Sequence, residues 1–188
     1  GFPFSIANHC DGRRLELHIR HGDDNSAAQD IMAYLESAST VSATLPAGMR
    51  FINSAPEQPV WFICGSTGFA PVKAMVERLI ALDFDHPVRL FWGARTPEDL
   101  YLPTLPAQWK MALKDFDFTT ALSDIRHPDH AEGLVHEAAL AALNEPELPL
   151  FYLGGSPPMA WAVFDALVEE GVPADNIHCD VFDYAPRD

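Results

Sequence analysis

The feature that most constrains this chain is an uninterrupted apolar run, Val60-Trp61-Phe62-Ile63-Cys64, that stops at once in Gly65-Ser66-Thr67-Gly68. A strand wetted on one face alternates apolar and polar residues. One that is apolar at every position is buried on both faces, as inside a parallel sheet. The pattern recurs downstream. A helix is expected over 69–82, a second apolar strand over 88–92, polar-to-helical sequence through Lys110, and a third strand over 116–122. A helix over 134–143, a fourth strand over 148–153 that again ends in glycines, a helix over 157–169 and a last strand over 177–182 complete the series. Strand and helix alternate throughout, so residues 58–188 read as a doubly wound, parallel-sheet α/β domain.

Residues 1–57 read differently. Residues 4–8 and 15–20 look like two strands joined by an Asp11-Gly12 turn. In the second, Leu15, Leu17 and Ile19 share one face, while Glu16, His18 and Arg20 share the other, which reads as the wet face. Ser26 suits the N-cap of a helix over 27–36, residues 40–45 could form another strand closed by Pro46-Ala47-Gly48, and 56–59 reads as a linker. Unlike the second part, this one reads as antiparallel strands with one wet face.

A net charge of −15 excludes nucleic acid and anionic lipid as natural partners. No apolar run is long enough for a bilayer and no signal peptide is evident, so neither membrane nor secretion is expected. Three scattered cysteines, Cys10, Cys64 and Cys179, read as reduced thiols of a cytoplasmic protein. The chain starts at Gly1, which allows for a removed segment or a tag scar. The cluster His127-x-x-His130 with Asp129 lacks a further ligand at zinc spacing, so no metal is expected, and too few cysteines are present for an iron–sulfur centre. No G-x-S-x-G elbow appears, and Trp61, Trp92, Trp109 and Trp161 read as core.

Ligands of open parallel sheets bind beyond the carboxyl ends of the strands. Two turns there invite attention. Gly65-Ser66-Thr67-Gly68-Phe69-Ala70-Pro71 combines close-approach glycines, two hydroxyl donors and a helix start that favours a pyrophosphate, although it is neither G-x-G-x-x-G nor a G-K-[ST] loop. Gly154-Gly155-Ser156-Pro157-Pro158-Met159 reads either as a second ligand turn or as a helix start capped by Ser156.

With Pro3-Phe4-Ser5-Ile6-Ala7-Asn8, Leu15-Glu16-Leu17-His18-Ile19, Phe91-Trp92-Gly93-Ala94-Arg95, Glu98-Asp99-Leu100-Tyr101 and Asp180-Val181-Phe182, these turns resemble the ferredoxin–NADP reductase superfamily. The likeness is to its NAD(P)H–flavin reductase and oxygenase-reductase branch. The family's R-x-[YF]-S motif falls on Phe2, Pro3, Phe4 and Ser5. The resemblance implies that Phe4 lies against the isoalloxazine and that Ser5, the implied catalytic residue, hydrogen-bonds near flavin N5. It places Pro3, His18 and Ile19 at the flavin as well. Gly65, Ser66, Thr67, Gly68 and Pro71 then serve the pyrophosphate and nicotinamide, as do Gly155, Ser156, Pro157 and Met159. Gly93 and Arg95 fall near the adenosine ribose, where Arg95 either meets a 2′-phosphate or pairs with Glu98 or Asp99. Phe182, with Tyr184 beside it, matches a C-terminal aromatic near the flavin.

Three departures bear on the flavin. Phe2 stands where the family has a phosphate-binding arginine, and Gly22-Asp23-Asp24-Asn25-Ser26 brings two carboxylates to the second phosphate turn. Strands that precede the motif in the family are missing, so the chain is a fragment or no longer builds a full flavin site. Gly154 replaces the cysteine near the nicotinamide. The resemblance therefore implies a partial antiparallel β-barrel, a flavin-binding remnant, over 1–57 and an NAD(P)-binding α/β domain over 58–188. Hydride would pass from NADH or NADPH to FAD or FMN, weakly held or used as substrate, and electrons onward to free flavin, an oxygenase or an iron–sulfur partner. The alternatives are a non-catalytic NAD(P)-binding module, or a subunit that completes its barrel with another chain or with a second copy as a homodimer.

Overall fold

The computed structural model describes residues 4–10, 12–20, 26–44, 51–143 and 146–187. Six parallel strands form one sheet: β1 (Val60–Gly65), β2 (Val88–Ala94), β3 (Phe116–Leu122), β4 (Ala131–Glu132), β5 (Leu150–Gly154) and β6 (Ile177–His178), in the order β4-β3-β2-β1-β5-β6. The helices are α1 (Ser26–Ser37), α2 (Phe69–Ala81), α3 (Leu105–Ala112), α4 (Val135–Ala142), α5 (Pro157–Glu169) and α6 (Val181–Tyr184). The doubly wound α/β fold expected from the alternation is thus present.

Side-chain alternation on β1 explains why its sequence has no polar position. Val60, Phe62 and Cys64 enter one core with residues of α2, including Val72 and Leu79, and with Trp109 of α3. Trp61 and Ile63 enter the other with Ala139 of α4 and with Ala160, Val163 and Leu167 of α5. Trp61, Trp92 and Trp109 are buried as expected. Trp161 is only partly buried, because its ring is shared between Phe182 and the Arg187 guanidinium, 4.1 Å from its centroid.

Several expected strands are shorter than the sequence suggested, or absent. The last ends at His178, and Phe182 lies instead in the short helix α6. The N-terminal hairpin is reduced to one antiparallel bridge, Ile6 with Leu17, held by Ala7 N–H donating to the Glu16 carbonyl at 2.8 Å. Residues 40–44 form no strand, so no barrel is built among the described residues. Phe2, Pro3, Asp11, residues 22–25 and 45–50 lie outside them.

The period-two reading of residues 15–20 holds, but its faces are reversed. Leu15 and Leu17 are 36% and 38% exposed, while the polar set Glu16, His18 and Arg20 bonds to the α/β domain. What looked like the wet face is the docking face. Phe62→Ala, at a fully buried site, is expected to cost about 3–5 kcal/mol in urea unfolding, whereas Leu17→Ser should stay within about 0.5 kcal/mol.

Candidate nucleotide-binding site

β1 and β5 are neighbours at the centre of the sheet, and the chain reaches them from opposite directions: β1 leads outward through β2 to β4, and α4 then carries it back across to β5. This is the topological switch point, where ligands of such sheets bind. Both glycine turns leave from it, since Cys64 and Gly154 are in register at the strand ends.

There the two backbones touch. A Cβ on Gly68 would lie 2.3 Å from the Gly154 carbonyl carbon and oxygen, and one on Gly154 would lie 2.2 Å from the Gly68 oxygen. Only glycine fits at either position. Gly154 therefore has a reason beyond the loss of a cysteine, because any side chain would drive the turns apart. The Met159 thioether, on the first turn of α5, closes over Gly65 and Gly155.

The first turn winds into a short 3₁₀ segment, Ser66–Gly68, before α2, with Pro71 in the first turn of the helix. Ser66 has φ +50°, sparsely populated for a residue with a side chain. Its carbonyl accepts the Trp92 indole N–H at 3.3 Å, and Trp92 stacks on Phe69 at 3.9 Å between centroids. The second turn is a poorer donor. Pro157 and Pro158 have no N–H, and although Ser156 occupies the N-cap position its hydroxyl makes no cap hydrogen bond. The β1 turn is the better anion site of the two. Cys64 offers no chemistry of its own, because burial pushes its thiol pKa well up.

Beside the turn lies a polar chain that the spacing of residues did not reveal. Lys73 of α2 is nearly buried and donates to the Ala7 carbonyl at 2.9 Å, to Glu16 Oε2 at 3.1 Å and to Glu77 Oε1 at 2.7 Å. The other oxygen of Glu77 accepts the His9 N–H at 2.9 Å, and Glu16 Oε1 meets His18 Nε2 at 2.8 Å. His18 Nδ1 meets the Tyr101 hydroxyl at 2.7 Å. Burial pushes the Tyr101 phenol up, reinforced by nearby Cys64 and Glu16, and because a carboxylate only accepts, His18 donates to Glu16 from Nε2. Burial raises Glu16, but hydrogen bonds and charge from His18 and Lys73 outweigh it and the net direction is down. Burial lowers Lys73, and Glu77 and Glu16 outweigh it upward. Arg20 ends the row: Nη1 donates to Ser66 Oγ at 2.9 Å and Nη2 pairs with Asp99 at 2.8 Å.

The other expected residues are placed as follows. Gly93 pairs with Gly65 in the sheet, and a Cβ there would meet Val135 at 2.8 Å, so its smallness admits α4. Arg95 pairs with Asp124 at 2.9 Å rather than with Glu98 or Asp99, because the backbones of β2 and β3 run on together there, with Asp124 N–H donating to the Arg95 carbonyl at 3.2 Å. Phe182 packs on Trp161 and Phe164, 4.4 and 5.2 Å between centroids, instead of standing clear, and it is Tyr184 that is exposed. Phe4 and Ser5 are exposed, Thr67 and Ile19 partly so. Among the described residues no three His, Cys, Asp or Glu side chains gather as a metal site, and no helix is long and apolar enough to cross a membrane.

The model of the oxidoreductase NAD-binding domain family matches residues 62–165, more than half of the chain. The chain belongs to that family. It is 30% identical to the reductase component 1 of terephthalate 1,2-dioxygenase from Comamonas, over 97% of this chain and 55% of that protein. It is 33% identical to the NAD(P)H-flavin reductase of Vibrio harveyi, over 53% and 44%. The crystal structure of an Amycolatopsis cytochrome P450 reductase superposes with a TM-score of 0.76 at 24% identity, over 94% of this chain and 55% of that one, a likeness of fold. The resemblance to the ferredoxin–NADP reductase superfamily is borne out, and the chain spans little more than half the length of the first of these relatives.

Two outcomes follow from the site. Gly154→Cys, which restores the family's residue, is expected to destabilise the fold by about 2 kcal/mol or more in thermal melts, because backbone lies where Cβ must go. The pH dependence has two edges. With Glu16 held below 4.5, its contribution is present above that value and lost as pH falls through the lower folded one. With Lys73 held above 10.5, its contribution is present below that value and lost as pH rises through the higher folded one. Limited proteolysis of the N-terminal segment should be slowest between these limits and faster at all pH values in Lys73→Met.

Proposed function

We propose that this chain is the NAD(P)-binding part, with a portion of the flavin-binding part, of a reductase that moves a hydride from reduced nicotinamide to a flavin and sends electrons on to an oxygenase or iron–sulfur partner. The observation that carries this reading is the meeting of two glycine turns at the switch point of the sheet. Relatives named as reductase components of oxygenases, such as the propane 2-monooxygenase reductase of Rhodococcus jostii, support the direction of electron flow.

Residues 58–188 hold the nucleotide in this reading, and residues 1–57 belong to a flavin-binding barrel whose interior would take up the outward-facing Leu15 and Leu17. Reduced nicotinamide, when bound, supplies the hydride that the flavin accepts. The protein's work is placement: Gly65, Ser66, Thr67, Gly68 and Pro71 seat the phosphates, while Gly155, Ser156, Pro157 and Met159 wall the nicotinamide. Phe4 offers a flat apolar face and Ser5 a hydroxyl at a ring edge, with Pro3, His18 and Ile19 alongside. Tyr184 rather than Phe182 is the C-terminal aromatic at hand. No side chain is required to carry a proton. The single bridge left of the N-terminal hairpin favours a second reading, a nucleotide-binding module without flavin turnover.

The ends of β2 and β3 support NADH over NADPH, with Gly93 and Arg95 on the adenosine side. Asp124, fixed by Arg95 and by the Ser123 hydroxyl at 2.7 Å, sets a carboxylate beside the exposed Arg95 guanidinium. A 2′-phosphate would have to displace it. The test is nicotinamide oxidation at roughly 340 nm, the absorbance of the reduced cofactor, with and without added FMN or FAD. Oxidation that depends on flavin and prefers NADH is expected, and Asp124→Ser should shift the kcat/KM ratio towards NADPH by roughly tenfold. Nucleotide binding without turnover by any flavin would leave the second reading.

A further inference from the structure

We propose that Trp92 is a positioning residue for the nucleotide: its indole N–H holds the Ser66 carbonyl, and through it the left-handed turn that presents the β1 loop to phosphate. The inference rests on the reading of the β1 turn as the phosphate site. Ser66 is the weak point of that turn. Among the described residues only Ser66 and Asp83 have a side chain at positive φ, each at +50°, and a serine leaves that region unless its surroundings hold it. Two donors converge on its carbonyl. One is the Phe69 backbone N–H, which closes the 3₁₀ turn. The other is the Trp92 indole N–H at 3.3 Å.

The two donors are tied together, because the Phe69 ring stacks on Trp92 at 3.9 Å between centroids and within 8° of parallel. Trp92 pairs with Cys64 across β1 and β2, its side chain is fully buried, and Tyr101 meets it edge-on at 5.5 Å. The indole cannot swing off the carbonyl without opening the core. The carbonyl in turn decides which way the loop faces. In a trans peptide the C=O and the next N–H point to opposite sides, so drawing the Ser66 oxygen to the indole aims the Thr67 N–H away from the core, towards the side open to a phosphate. If the indole bond is lost and Ser66 relaxes, that peptide turns and the donor is withdrawn. Affinity then falls by the fraction of molecules that keep the ready turn. A glycine at 66 would hold the same φ without help.

The test is calorimetric titration of ADP-ribose, which carries the pyrophosphate without nicotinamide, into the whole chain. Trp92→Phe keeps a ring in the stack and removes the N–H, and it should weaken binding by roughly tenfold. Trp109→Phe, which thins the far side of the same stack 5.6 Å from Phe69, should bind as the native chain does. The backgrounds separate positioning from packing. Trp92→Phe should cost the full tenfold in Ser66→Ala, where the strain persists, and less than about threefold in Ser66→Gly, where it is gone. In the native chain, ADP-ribose should slow hydrogen exchange at the Trp92 indole more than at Trp109, a readout that needs no variant to fold. Equal affinity in Trp92→Phe, the same loss in the glycine background as in the native one, or no slowing at the Trp92 indole overturns the inference and leaves the phosphate site standing. No binding of ADP-ribose by the native chain overturns the phosphate site and the inference together.

Discussion

The contact between Gly68 and Gly154 sets the geometry of everything at the strand ends. Two parallel neighbours, β1 and β5, finish in register, and their onward chains must part to start helices on opposite faces of the sheet. They can do so while touching only because neither residue has a Cβ. The rest follows from that closeness: the 3₁₀ segment, the positive φ of Ser66, the indole bond to its carbonyl, and the seating of Met159 over Gly65 and Gly155. A gap of one methyl group between the turns would undo the shared surface.

A second constraint is electrostatic. Lys73 would be costly to bury alone, and it is tolerated because the Ala7 carbonyl and the carboxylates of Glu16 and Glu77 surround it. The N-terminal segment is thereby attached to α2 at Ala7, His9 and Glu16, with Ala7 buried among them.

The α/β fold was legible because burial on both faces leaves a signature that survives in a single strand, as in residues 60–64, and because glycines mark the strand ends. The glycine turns were legible for the same reason, though not the direct backbone contact between them. The facing of residues 15–20 was not legible, since a period of two says which residues share a face and nothing about which face is covered. Here the apolar face lies outward and the covering partner is polar. The partner of Arg95 was missed because Asp124 follows a different strand and is adjacent only through β2–β3 pairing. Phe182 was misplaced because Ile177, Cys179 and Val181 alternate as they would in a strand, whereas the chain turns at Asp180 into a helix that lays the ring on Trp161. Lys73 sits in an ordinary amphipathic helix, and no spacing distinguishes it from a surface lysine.

The paired prolines that open α5 have a kinetic consequence. With φ fixed at Pro157 and Pro158, and backbone packed on backbone at Gly68, the surface that the proposed site offers a nucleotide is largely in place beforehand, so little ordering entropy would be lost on binding. Encounter rather than closure then governs how fast a nucleotide is captured. For an acidic chain and an anionic visitor, that encounter is slowed by long-range repulsion, and added salt, which ordinarily retards charged partners, should hasten this one.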